Sequence, residues 1–199
     1  MKKHFSLHIT GGPGGPLGPT GTPTAHGAHM AVKQGARFLF GSDSLKGKKI
    51  AVQGLGAVGF PLAGDYIRDG AELIVCDMDP DAVKHLKEAH GGASITVVEP
   101  EAILGVEADI FSPCAVGGVL HEGNIPNLRF KMVMGPANNV LRASSQEEEY
   151  RLARMIAGRG ILYQVEWYHN IAGVMAGYEE YINQENASMD RLMEKVGKL

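Results

Sequence analysis

Lys49-Ile50-Ala51-Val52-Gln53-Gly54-Leu55-Gly56-Ala57-Val58-Gly59, followed about twenty residues on by Leu73-Ile74-Val75-Cys76-Asp77, decides how this chain folds. Ile50, Ala51 and Val52 make a short apolar run suited to a strand buried on both faces. Gly54 permits a tight turn, Gly56 lets backbone approach a pyrophosphate, and Gly59 lets the next helix pack closely on the strand. Ala57 and Val58 open that helix, whose free N–H groups and positive dipole end face the phosphates. Asp77, with Met78 after it, closes the second strand where a carboxylate meets adenosine ribose hydroxyls. A glycine-rich turn alone is weak evidence, but here strand, helix and acid surround it in order. The unit therefore reads as a dinucleotide-binding βαβ, and a small-molecule dinucleotide is the expected ligand.

Working outward, the spacing of Ala28, Ala31, Val32, Gly35 and Leu39 predicts a helix over about 25–40, with Thr24 as its cap and Gly41 as its stop. Helices are expected at 58–68, 80–90 and 145–158, with a helical turn at 100–105. The first carries Pro61 in its opening turn, where no intrahelical N–H bond is lost. Strands are expected at 95–98, 109–112, 132–134 and 161–163. The stretch 172–199 reads as helical, broken near 183–188. Strands alternating with helices predict an α/β, Rossmann-type, doubly wound and mainly parallel sheet with helices on both faces. The division expected is a Gly/Pro-rich arm at 1–23, a dinucleotide-binding domain at 24–182 and a helical extension at 183–199. Residues 11–23 (GGPGGPLGPTGTP) lack the apolar content of a core element and read as a linker or arm.

The chain has 199 residues, 44% of them hydrophobic and 21% charged, as in ordinary globular proteins. Its formal net charge of −3 provides no field to attract nucleic acid or an anionic membrane. No apolar run approaches a membrane span, and MKKHFSLHIT has too short an apolar core for a signal peptide. A cytoplasmic location is expected, with neither nucleic-acid nor membrane partners. Two cysteines, Cys76 and Cys114, make no disulfide framework.

The order of motifs resembles the amino-acid dehydrogenases that act on glutamate, leucine, phenylalanine and valine, with the leucine and phenylalanine branch nearest. The matching pieces are Thr24-Ala25-His26-Gly27, 40–47, 52–59, 70–77, 108–118, Gly135-Pro136-Ala137-Asn138-Asn139 and 170–174. The resemblance implies oxidative deamination of an L-amino acid, with hydride passed to NAD. By position, Thr24 and Asn170 match residues that bracket the nicotinamide amide. Cys114, Ala115, Ala137, Asn138 and Asn139 match contacts around the nicotinamide ribose, and Asp77 matches the adenosine-ribose acid. The resemblance also places the catalytic lysine and aspartate of the family in an N-terminal domain, which this chain is expected to lack. Near Tyr163, the family's Pro-Asp-Tyr is replaced by Val165-Glu166-Trp167. No catalytic residue is assigned.

Three readings follow. The chain is the NAD-binding domain of an amino-acid dehydrogenase, a non-catalytic NAD-binding sensor or subunit of a hetero-complex, or a one-domain dehydrogenase with substrate held between two copies. NAD is expected over NADP, because Asp77, Asp79 and Asp81 would repel a 2′-phosphate. His169 and Glu166, close to Asn170, are either proton carriers or structural supports. Lys46, Lys48 and Lys49 read as a solvated loop face. His26 and His29 have metal-binding spacing, but no third ligand is apparent in the sequence, so no metal is expected. Met175, Tyr178 and Ile182 predict an apolar face that a second copy, or a partner supplying the substrate domain, would cover.

Overall fold

The computed structural model describes residues 15–198. Six strands form one parallel sheet: β1 (Lys49–Gln53), β2 (Glu72–Cys76), β3 (Ile95–Val97), β4 (Ile110–Pro113), β5 (Met132–Val133) and β6 (Leu162–Tyr163). Their order is β3-β2-β1-β4-β5-β6, the doubly wound arrangement expected from the sequence. The chain leaves β1 toward β2 on one side and returns to β4 on the other. Ligands of such sheets bind in the crevice that this reversal opens at the carboxyl ends of the strands.

Side chains alternate along each strand, so each strand feeds two cores. Ile50, Val52, Leu73, Val75, Ile110 and Met132 point to one face. There they meet α1 (Gly21–Phe40), α2 (Gly59–Arg68) and α3 (Pro80–Ala89). Ala51, Cys76, Phe111 and Val133 point to the other face, against Ile103 and against Leu152 and Ile156 of α4 (Gln146–Gly158). A third, smaller cluster joins α5 (Ala172–Asn183) to α6 (Met189–Val196) through Ala172, Ala176, Leu192 and Val196. The break expected near 183–188 is a short 3-10 segment, Gln184–Asn186. Among the described residues, no helix is long and apolar enough to cross a membrane.

Two local expectations are corrected. Helix α1 starts at Gly21, a turn earlier than the sequence suggested, and Thr20 rather than Thr24 stands at its cap position. The Thr24 hydroxyl donates backward to the Thr20 carbonyl (2.8 Å), so it satisfies an acceptor inside the helix instead of capping its N–H groups. The Met175 side of α5 is not bare: Met175 packs into the third cluster beside Met30, Met189 and Met193. Tyr178 and Ile182 remain exposed, as do Trp167, Tyr168 and Val174.

Candidate dinucleotide site

The glycine turn after β1 is held from below. Gly54 takes φ +95°, a left-handed conformation that L side chains rarely adopt, and its N–H donates to the Cys76 carbonyl (2.9 Å). A Cβ on Gly59 would overlap the Gly54 carbonyl oxygen and sit 3.0 Å from the Cys114 Cβ, so only glycine lets α2 come this close. Gly56 is the opposite case. It is exposed, and a Cβ there would meet nothing within 4 Å. That open space over the start of a helix is the cradle a pyrophosphate needs. The residues present therefore fit a dinucleotide.

Asp77 is fixed beside that turn. Its Oδ2 accepts from the Leu55 N–H (2.5 Å) and its Oδ1 from the Asp79 N–H (2.8 Å). Each oxygen keeps a free lone pair for a further donor. Asp79 in turn caps α3 by accepting from the Asp81 N–H (2.9 Å). Met78 is 84% exposed beside this acid, an apolar surface available to a planar ring.

At the other end of the cleft, the loops after β4 and β5 are knitted together. The Ala137 N–H donates to the Pro113 carbonyl (3.0 Å), and the Gly118 N–H donates to that of Asn139 (2.7 Å). Asn139 takes the left-handed region at φ +52°. A Cβ on Gly135 would come within 2.6 Å of the Pro113 backbone, so this glycine sets how close the two loops lie. Cys114, Ala115, Ala137, Asn138 and Asn139 are thereby brought to one rim. Burial pushes the Cys114 thiol up to about 12, so it is a neutral group there. Asn170 joins the rim by donating to Asn138 Oδ1 (2.6 Å) and to the Pro136 carbonyl (3.2 Å). Thr24, on α1, lies against Gly173 at the start of α5, where a Cβ would collide with the Thr24 hydroxyl.

His169 and Glu166 act as ties within this scaffold. His169 is buried, and its Nε2 bonds the Gly135 carbonyl (2.7 Å). Burial holds its pKa below the ordinary histidine value, although the Gly135 carbonyl and the Glu166 charge pull the other way. Glu166 Oε1 accepts from the Val140 N–H (3.2 Å) and Oε2 accepts from the Tyr163 hydroxyl (3.2 Å). Both side chains bind the segment after β6 to the loop after β5. Their neighbours in sequence gave no sign of this, since the partners lie about thirty residues away. Gly135 and Gly173 lie within the pieces that carry the family resemblance, but their close packing against Pro113 and Thr24 is visible only in the structure. Lys48 lies over the Phe40 ring (4.2 Å), on the loop before β1 and away from the turn.

A family model for Glutamate/Leucine/Phenylalanine/Valine dehydrogenase matches residues 14–197. The phenylalanine dehydrogenase of Lysinibacillus sphaericus is 39% identical over 160 residues, covering 79% of this chain and 40% of that protein. The leucine dehydrogenase of Geobacillus stearothermophilus is 36% identical over 176 residues, covering 88% of this chain and 45% of that protein. The crystal structure of L-tryptophan dehydrogenase from Nostoc punctiforme superposes with a TM-score of 0.79 at 32% identity, covering 89% of this chain and 50% of that one. The chain thus spans less than half the length of these two curated relatives.

Proposed function

The chain belongs to the glutamate/leucine/phenylalanine/valine dehydrogenase family, and we propose on that premise that its cleft seats NAD for the oxidative deamination of an L-amino acid. The observation that carries this reading is the bond from the Leu55 N–H to Asp77 Oδ2 (2.5 Å). It locks the acid against the glycine turn, so that one continuous ridge offers donors to a pyrophosphate and acceptors to ribose hydroxyls.

Gly54, Gly56, Ala57, Val58 and Gly59 would hold the pyrophosphate. Asp77 and Met78 would hold the adenosine, with Cys114, Ala115, Ala137, Asn138 and Asn139 around the nicotinamide ribose. Thr24 and Asn170 would fix the nicotinamide amide and so decide which ring face is presented. Bound there, NAD would supply the acceptor for the hydride leaving the substrate's α-carbon. The carboxylates of Asp77, Asp79 and Asp81, with no lysine or arginine between residues 76 and 81, favour NAD over NADP.

Because both Glu166 oxygens and His169 Nε2 are held by the scaffold and the unpartnered His169 Nδ1 is buried, we assign the proton transfers of the reaction to a substrate-binding part beyond the described residues, in the same polypeptide or in a second subunit. Exposed Trp167, Tyr168, Val174 and Tyr178 beside the cleft offer it a surface. The same commitment of His169 and Glu166 favours a second reading, an NAD-binding module without turnover of its own. Calorimetric titration with NAD and NADH, followed by an assay for NADH formation from a panel of L-amino acids, tests both. Binding with turnover supports a complete dehydrogenase, and binding without turnover supports the module. Absence of binding overturns the dinucleotide assignment.

A further inference from the structure

We propose that His26 and His29 of α1, together with Asp65 of α2, bind one zinc ion that clamps the two helices. The inference does not rest on the dinucleotide reading, because Asp65 lies toward the far end of α2 from the glycine turn. His26 and His29 stand three residues apart and so share a helix face. Asp65 comes to them from the neighbouring helix, which supplies the third ligand that the sequence did not reveal. Each of the three residues offers one ligand atom, and these atoms all lie within 4.8 Å of one another. Ligands held roughly 2.0–2.2 Å from a tetrahedral zinc stand roughly 3.5 Å apart. Small rotations about the side chains would close the triangle, and a water would complete four-fold coordination.

The surroundings suit this chemistry. All three residues are half-buried, whereas charges that merely face water are fully exposed. Zinc takes imidazole nitrogen and carboxylate oxygen. Burial, the neighbouring His29 and Arg68 all lower the His26 pKa, and burial outweighs the raising effect of Asp69 at His29. Asp69 Oδ2 holds the His29 ring through Nε2 (2.7 Å), the kind of carboxylate contact that orients ligating histidines. Two cations compete with the metal. Arg68 pairs with Asp65, and Lys33 Nζ lies 3.4 Å from Asp69 Oδ2. The Arg68 side chain is 67% exposed, so it can turn into water and yield Asp65 to an ion of twice its charge.

The test uses the untagged 199-residue chain, freed of metal and titrated calorimetrically with zinc chloride. One site per chain is expected, with micromolar or tighter affinity, and cobalt at the same site should give the visible absorption of a four-coordinate centre. His26→Ala and Asp65→Asn should each weaken zinc binding at least tenfold, while His85→Ala on α3 should leave it unchanged. Zinc should also protect His26 and His29 of the unmutated chain from diethyl pyrocarbonate, read by peptide mass, so the test survives even if a variant fails to fold. Absence of zinc binding, binding that persists in both variants, or modification of His26 and His29 that zinc does not slow would each overturn the proposal.

Discussion

The Asn170 side-chain amide donates to Asn138 Oδ1 at 2.6 Å, so the residue that opens the approach to α5 also fixes the loop after β5. The same amide reaches the Pro136 carbonyl at 3.2 Å. Asn170→Ala removes both bonds and leaves Asn138 free to turn. At about 1 kcal/mol for each such bond, the variant should lose about 2 kcal/mol of stability, and NADH affinity should fall because the loop after β5 loses its tie. Calorimetry on the variant measures this, and an unchanged affinity would take Asn170 out of the nicotinamide end of the site.

Asp77 holds two backbone donors, the Leu55 and Asp79 N–H groups. Asp77→Ala frees both and removes the charge expected to exclude a 2′-phosphate. NADH binding should weaken at least tenfold, while NADPH binding should change little or improve. The ratio of the two dissociation constants is the informative quantity. A ratio that does not move would show that this carboxylate does not choose the cofactor.

Gly59 and Gly56 separate stability from binding. Gly59→Ala drives a Cβ into the Gly54 carbonyl. Overpacking of this kind costs about 2 kcal/mol, which lowers Tm by roughly 4–8 °C in a chain of this size. Gly56→Ala meets open space, so Tm should hold. NADH affinity should nevertheless drop, because the added methyl occupies the approach to the pyrophosphate. Thermal melts and titrations of the two variants, run side by side, check the contrast.

Glu179 is buried between the Arg191 Nε (2.6 Å) and the Lys195 Nζ (2.8 Å), which tie α6 to α5. Burial alone would raise its pKa, but Lys195 and Arg191 outweigh that and bring it to about 2. A carboxylate lowered in the folded state stabilises fully above its unfolded pKa of about 4.3. That stabilisation is lost as pH falls from there toward 2. Acid unfolding should therefore begin within this window, and Glu179→Gln should flatten the dependence. The two cations are half-exposed, so the cost of the variant at neutral pH should be modest, about 1 kcal/mol.

Much of the fold was legible because its signals are local. Ile50-Ala51-Val52 announced a buried strand, the glycine turn followed it, and Asp77 marked the end of the second strand. All of these contacts lie within one βαβ unit. Even there, a local signal misled at Thr24. A hydroxyl before an apolar run looks like a cap whether it accepts from N–H groups ahead or donates to a carbonyl behind. The observed bond to the Thr20 carbonyl decided between these. Met175 failed as part of an exposed face for a different reason. The cluster it packs against includes Leu192 and Val196 of another helix, and periodicity within one helix carries no information about them.

By itself, the sequence determined the parallel strands, the glycine turn and the acid beyond it, since each depends on residues near one another along the chain. The tertiary structure alone decided that His169 and Glu166 are ties, that Asn170 meets Asn138, and that Asp65 completes a triangle with His26 and His29. The physical reason is that sheet order and register bring together loops and helices many residues apart. Which polar groups then find partners is fixed by that packing, not by any spacing within the chain.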